Sequence, residues 1–322
     1  MALRKRWVFK TTPDIPSCHC ATLLSLPDGE LLCAWYAGSR EGARDVAIYG
    51  ARLQPGSEAW SPAEVIADTP GFSDGNPVLF LDGHGRLQLW FVTIHGRWWS
   101  EARVKRRIST DGGHTWGPVE IIHEPYGWMT RSKPIVLDNG DLLLPMYYET
   151  PEETQWESFV LISQDDGDTW QPYGHITSPT GNIHPTVVQR SDGELLMIMR
   201  TGGPGGHLWQ SRSGDHGRTW SPAEPVDLPN PNSGIDMIRL RSGRLLLVYN
   251  HSSQHRTPLS LALSEDEGRT WRPRVLDVET AEGEFSYPVV IQTEDGLIHI
   301  AYTYRRTAIA HVTLSEEDLP HG

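Results

Sequence analysis

STDGGHTW (Ser109–Trp116), SQDDGDTW (Ser163–Trp170), SGDHGRTW (Ser213–Trp220) and SEDEGRTW (Ser264–Trp271) are four writings of one pattern, S-x-D-x-G-x-T-W. Their tryptophans stand 54, 50 and 51 positions apart, and a degenerate copy, PGSEAWSP, puts Trp60 a further 56 positions upstream. A period near fifty residues marks an array of supersecondary units, none of which can bury its apolar face alone. Between these landmarks lies a second one, a tight hairpin joining two apolar runs. It falls at Asp28-Gly29, Gly83–Gly85, Asn139-Gly140, Asp192-Gly193, Ser242-Gly243 and Asp295-Gly296, which makes six units. Asp-Gly and Asn-Gly supply the positive φ that a two-residue hairpin requires, so two-residue turns are expected here.

The sixth unit offers only three strands, SYPVVIQ, LIHIAYTY and AIAHVTL. The run Trp7–Thr11 supplies the missing fourth, and a ring closed by strands from both chain ends leaves no exposed sheet edge. The expectation is one all-β domain over residues 1–322, a six-bladed β-propeller closed by its N-terminal strand. Short apolar runs broken by 31 Gly and 24 Pro agree with it, and no long run of helix formers interrupts them.

A net charge of −13 opposes nucleic-acid binding, which demands a surface able to neutralise many phosphates, and disfavours anionic membranes. MALRKRWVFKTTPDIP holds no apolar run of signal-peptide length and no stretch is long enough to span a bilayer, so a cytoplasmic location is expected. The three cysteines, Cys18, Cys20 and Cys33, lack the spacing of a metal site and read as buried thiols. No metal or cofactor is expected.

In a propeller the first strand of each blade lines the axis. Counting back from the hairpins gives six facing groups: Cys18-His19-Cys20, Asp74-Gly75-Asn76, Arg131-Ser132-Lys133, Asn182-Ile183-His184, Asn232-Ser233-Gly234 and Phe285-Ser286-Tyr287. Two histidines, a tyrosine, an arginine and a lysine on one axis form a site-like constellation, alternatively a wet tunnel with satisfied polar groups. Arg200, ending ELLMIMRT, and Arg256, ahead of PLSLALS, add two forks suited to a carboxylate.

From Cys18 to about Leu314 the chain resembles the sialidase (neuraminidase) superfamily, specifically its branch of predicted neuraminidases with BNR/Asp-box repeats. The resemblance implies that the repeated Asp box is a peripheral structural turn, so Asp111, Asp165, Asp215 and Asp266 are poor catalytic candidates. It implies that Tyr287, eight residues before the last hairpin in YPVVIQTEDG, is the nucleophile, and that Arg200 and Arg256 belong to a carboxylate-binding triad. Three positions depart from the family. His19 stands where the triad arginine of the first blade is usual, and His184 replaces the glutamate that assists the tyrosine. The acid/base aspartate gives way to GSREGARD, which offers Glu41 or Asp45. Arg131 or Lys133 is expected to replace the missing charge, with Asn76 completing the substrate-binding set.

The implied activity is an exo-acting glycosidase on a carboxylate-bearing sugar, with His184 taking the proton of Tyr287 and Glu41 protonating the leaving oxygen. The two histidines also suit a polysaccharide lyase acting on uronic acids. A non-catalytic glycan-binding propeller using Trp98, Trp99 and Trp128 is a third reading.

Overall fold

A computed structural model describes residues 3–150, 156–203 and 206–320. It consists of six antiparallel sheets arranged as the blades of a ring. Blades one, two, four and five each comprise four consecutive strands, with inner strands Ser17–Ser25, Ser73–Leu81, Asn182–Gln189 and Asp236–Arg239. Blade six takes Phe285–Gln292, Ile298–Tyr304 and Ala308–Leu314 from the C-terminal end and Arg4–Lys10 from the N-terminal end, the ring closure expected. Blade three is irregular: its inner strand is split into Trp128–Thr130 and Ile135–Val136, both paired with Leu142–Tyr148.

The second strands are apolar on both faces because each sheet lies between two others. All seven residues of Leu195–Thr201 are buried, whereas only one residue of the outermost strand Arg272–Glu279 is. Apolar side chains therefore collect between neighbouring blades. One cluster unites Val78, Trp90 and Val92 of blade two with Leu144, Met146 and Leu161 of blade three. The tryptophan of blade three's Asp box closes this seam, Trp170 meeting Trp90 edge-on with ring centroids 5.3 Å apart.

The four Asp boxes share one hydrogen-bond pattern. In the second, Ser163 Oγ donates to Asp165 Oδ1 and accepts from the Gly167 N–H, while Asp165 also accepts from the Thr169 N–H and hydroxyl. Asp111, Asp215 and Asp266 repeat these contacts. Each of these carboxylates thus accepts three hydrogen bonds from its own turn.

The inner hairpins correct one expectation. In each, only the glycine has positive φ, and the flanking residues pair around three loop positions. Leu26 N–H donates to the Glu30 carbonyl and Gly29 N–H to the Leu26 carbonyl, and the other five repeat this. These are type I turns ending in a left-handed glycine, not two-residue connections.

Candidate functional site

Four inner strands carry the same fault in their pairing. Register slips between His19 and Thr22, Gly75 and Val78, Ile183 and Thr186, and Ser286 and Val289. Inside each slip one side-chain-bearing residue is left-handed: Cys20 (φ +59°), Asn76 (+49°), His184 (+51°) and Tyr287 (+52°). A β-bulge adds a residue to one strand and re-aims its side chain, here toward the axis. In three cases the next residue is proline (Pro77, Pro185, Pro288), whose missing N–H spares the bulge an orphaned donor. A left-handed non-glycine residue costs on the order of 1–3 kcal/mol, strain that clusters at functional sites.

Each bulge residue stands nine positions before its hairpin glycine. By that count blade three's equivalent is Arg131, and blade five's is Gly234. A Cβ there would crowd the site, lying 3.3 Å from His184 Nδ1 and 3.4 Å from Tyr287 Cα.

Around this end of the axis is a cavity of about 230 Å³, whose lining includes Tyr287, His184, Asn76, Arg200, Arg256, Glu41, Trp98 and Trp99. Arg200 donates to Tyr287 Oη (3.0 Å) and is steadied by Asn232 Oδ1 (2.7 Å). Arg256 holds Glu284 at 2.9 Å and the Asn232 carbonyl at 3.2 Å. The guanidinium carbons of Arg131, Arg200 and Arg256 lie 5.5–5.7 Å from the centre of the Tyr287 ring. A strongly acidic protein thus concentrates positive charge on its axis.

His184 presents Nδ1 to Arg200 (3.2 Å) and Nε2 to the hydroxyl of Tyr147 (3.2 Å). Neither nitrogen is bonded to Tyr287, so the expected base–nucleophile hydrogen bond is absent. Burial, reinforced by Arg200, Arg131 and Arg256, holds its pKa well below that of a free histidine. His19 is fully buried, its ring 4.1 Å from that of Tyr287, and it packs outside the cavity lining. Burial and the surrounding arginines likewise depress its pKa, so the imidazole is neutral and does not replace the missing arginine.

Three further expectations are corrected. Lys133 sits two positions beyond the bulge equivalent and faces the opposite end of the axis, paired with buried Asp236 at 2.5 Å beside a separate hollow. Arg131 is buried beneath the tyrosine, donating to the Pro288 carbonyl (2.6 Å), and does not line the cavity. Asp45 is exposed and accepts hydrogen bonds from the Ser39 N–H (3.0 Å) and hydroxyl (2.8 Å), closing its own loop. Trp98 and Trp99 line the cavity, whereas Trp128 stacks on His123 elsewhere on blade three.

Sequence reasoning missed Arg306, Tyr147, Glu149, Trp156 and Glu284. Arg306 lines the cavity from the last hairpin, where Arg305 and Arg306 both have positive φ (51° and 56°). Finding two arginines at turn positions suited to Asn-Gly was the available signal. Arg306 joins Glu41 and Glu284, and these two carboxylates raise its pKa against the opposing effect of burial. Burial pushes the Glu284 carboxyl up, but Arg306 and Arg256 outweigh it and the net shift is downward. Among the described residues no group of three or more His, Cys, Asp or Glu could hold a metal ion. All three cysteines are free and buried, and burial pushes the Cys20 thiol up to about 11.

These features define a six-bladed Asp-box propeller with an arginine-walled axial cavity. The chain belongs to the family described as BNR repeat-like domain, which matches residues 29–300, within the sialidase superfamily. It is 25% identical over 330 residues to a sialidase of Micromonospora viridifaciens, covering 89% of this chain and 50% of that protein. The chain therefore spans about half the length of that curated relative. Its fold is similar to that of the NanB sialidase from Streptococcus pneumoniae (TM-score 0.82, 12% identity, 98% of this chain and 71% of that one). A protein of unknown function from Dyadobacter fermentans has the same fold over nearly its full length (TM-score 0.80, 18% identity, 97% and 99%).

Proposed function

We propose that the chain is a sialidase-like glycoside hydrolase that removes a terminal, carboxylate-bearing sugar, with Tyr287 as nucleophile. The supporting observation is Tyr287 Oη, 3.0 Å from Arg200, in a cavity that Arg256 and Arg306 also line. About 230 Å³ suits a single sugar unit, in keeping with exo action. Arginine forks are the side chains best matched to a carboxylate, and a hydrogen bond to a charged group is worth roughly 1.5–3 kcal/mol. A neutral tyrosine oxygen also approaches an anomeric centre bearing a carboxylate without the repulsion an aspartate would meet.

In this reading Arg306, delivered from blade six, serves as the third carboxylate-binding arginine in place of the one absent from blade one. Incoming carboxylate exchanges with Glu41 on Arg306. The released Glu41 then carries the proton that the leaving oxygen takes as the glycosidic bond breaks. Tyr287 bonds to the anomeric carbon and gives up its proton to solvent in the cavity. Water, losing a proton to Glu41, then attacks the same carbon, and the tyrosine leaves and regains its proton.

The test is release of a fluorogenic aryl sialoside. Tyr287→Phe, which keeps the packing, lowers kcat by at least a hundredfold on this reading, and full turnover by that variant rules out the nucleophile. One observation favours a second reading: Tyr287 Oη, held by Arg200 at 3.0 Å, also suits proton abstraction next to a uronate carboxylate. An unsaturated uronate product, seen by its ultraviolet absorbance, would replace hydrolysis with elimination.

A further inference from the structure

Tyr147 lies in LLLPMYY (Leu142–Tyr148), where it reads as one more core aromatic, and its side chain is almost wholly buried. Its hydroxyl nevertheless ends at the lining of the axial cavity. Two side chains from other blades meet that oxygen, Asn76 Nδ2 at 3.0 Å and His184 Nε2 at 3.2 Å.

The direction of each hydrogen bond follows from what each group can do. Arg200 has donors only, so at 3.2 Å from His184 Nδ1 it donates, and Nδ1 is the unprotonated nitrogen. A neutral imidazole then carries its hydrogen on Nε2 and donates it to Tyr147 Oη. Burial among arginines keeps the imidazole from taking a second proton. The amide nitrogen of Asn76 likewise can only donate. Both lone pairs of the phenolic oxygen are therefore occupied, and its own hydrogen has to point elsewhere. Among the described residues no acceptor meets it. Burial also raises the Tyr147 pKa well above the ordinary tyrosine value, so the hydrogen stays on the oxygen.

The geometry points to Tyr147 as a substrate-contacting specificity residue, a one-way hydrogen-bond donor that reads one acceptor oxygen of the sugar in the cavity. Arg200, His184 and Asn76 position it by leaving it no lone pair to offer. The donor selects an oxygen that can accept, such as a ring hydroxyl or an acylamino carbonyl, and disfavours an ammonium or other donor-only group at that point. A site built around one hydrogen bond rejects an analogue lacking the partner far more strongly than an apolar pocket rejects a missing methylene.

This inference rests on the proposed glycosidase reading for its substrate but has a test that needs none. Nitrogen-15 NMR of His184 in the free protein reports its tautomer directly. The neutral form protonated at Nε2, from pH 6 to 8, is expected in the wild type and in Tyr147→Phe alike. An Nδ1-protonated or cationic ring would overturn the relay whatever the enzyme does. The second measurement is kcat/KM for the cleaved glycoside and its monodeoxy analogues. Wild type is expected to discriminate against one analogue by tenfold or more. Tyr147→Phe should lose about that factor on the parent and no longer distinguish that analogue, with the rest of the profile unchanged. A Tyr147→Phe profile parallel to wild type across every analogue overturns the proposal. Loss of all turnover through Tyr287→Phe concerns the reaction itself and leaves this comparison intact.

Discussion

Arg306 concentrates the chemistry of the site in one side chain. It reaches the cavity from a turn whose two central residues are both left-handed and both arginine, a costly choice where Asn-Gly would be relaxed. Its two carboxylate partners belong to different blades, Glu41 to the loop of blade one and Glu284 to the start of blade six. Arg306→Lys keeps the charge but loses the planar fork, so the carboxylate of a bound sugar is gripped through one bond in place of two. The expected outcome is a KM raised by about tenfold or more for an acidic glycoside, the equivalent of one charged hydrogen bond of roughly 1.5–3 kcal/mol. KM for a neutral analogue, such as the methyl ester, should hardly move. Steady-state kinetics on the acid and its ester checks this, and an equal change on both would separate Arg306 from carboxylate binding.

At the scale of elements, the Asp box shows why the fold is legible in the sequence while much of the site is not. The box is local: serine, aspartate, glycine and threonine within seven residues satisfy one another, so their order alone announces the turn. The axial bulges are local as well, marked by proline after Asn76, His184 and Tyr287. The contributors that came from outside the inner strands carry no such mark. Tyr147 hides in an apolar run, and Glu284 precedes a strand as many surface glutamates do. Blade three misleads because its inner strand stops at Thr130 and resumes at Ile135, and Arg131 and Lys133, both expected to supply the missing charge, lie in that break and turn to the Pro288 carbonyl and to Asp236 instead. The box also sets an acid response. Hydrogen bonds from Thr169 and Ser163 pull Asp165 from 3.8 to about 2. Its depressed pKa means the ionised form favours the folded state, so this contribution is complete above pH 4 and fades as pH falls toward 2. Asp165→Asn should therefore unfold at a lower temperature than wild type at pH 7, with the gap narrowing between pH 4 and pH 2. Thermal melts across that range test it, and a gap independent of pH would assign the loss to geometry instead of charge.

The whole molecule depends on a closure made far from the cavity. The N-terminal strand pairs with Ala308–Leu314, places Phe9 against Trp35 of blade one at 5.2 Å, and reaches blade five through Lys5 and Glu279. Seven residues thus bind three blades together. Without them the largely buried strand Ala308–Leu314 becomes an unpaired edge, the kind of surface that recruits another chain. The effect reaches the site through a short path. Arg306 stands two residues before that strand in its hairpin, and its carbonyl accepts the Cys18 N–H at 3.0 Å, joining blade six to the inner strand of blade one. Opening the ring loosens this joint first, while blades two to five keep all of their own strands and the seams between them. Removing residues 1–10 is accordingly expected to leave most of the β-sheet circular dichroism intact, to promote self-association on size-exclusion chromatography, and to abolish whatever turnover the intact chain has. A synthetic peptide of residues 1–12 added in trans should restore part of that activity by refilling the edge. A truncated chain that stays monomeric and fully active would mean that five complete blades and a three-stranded sixth hold the cavity by themselves.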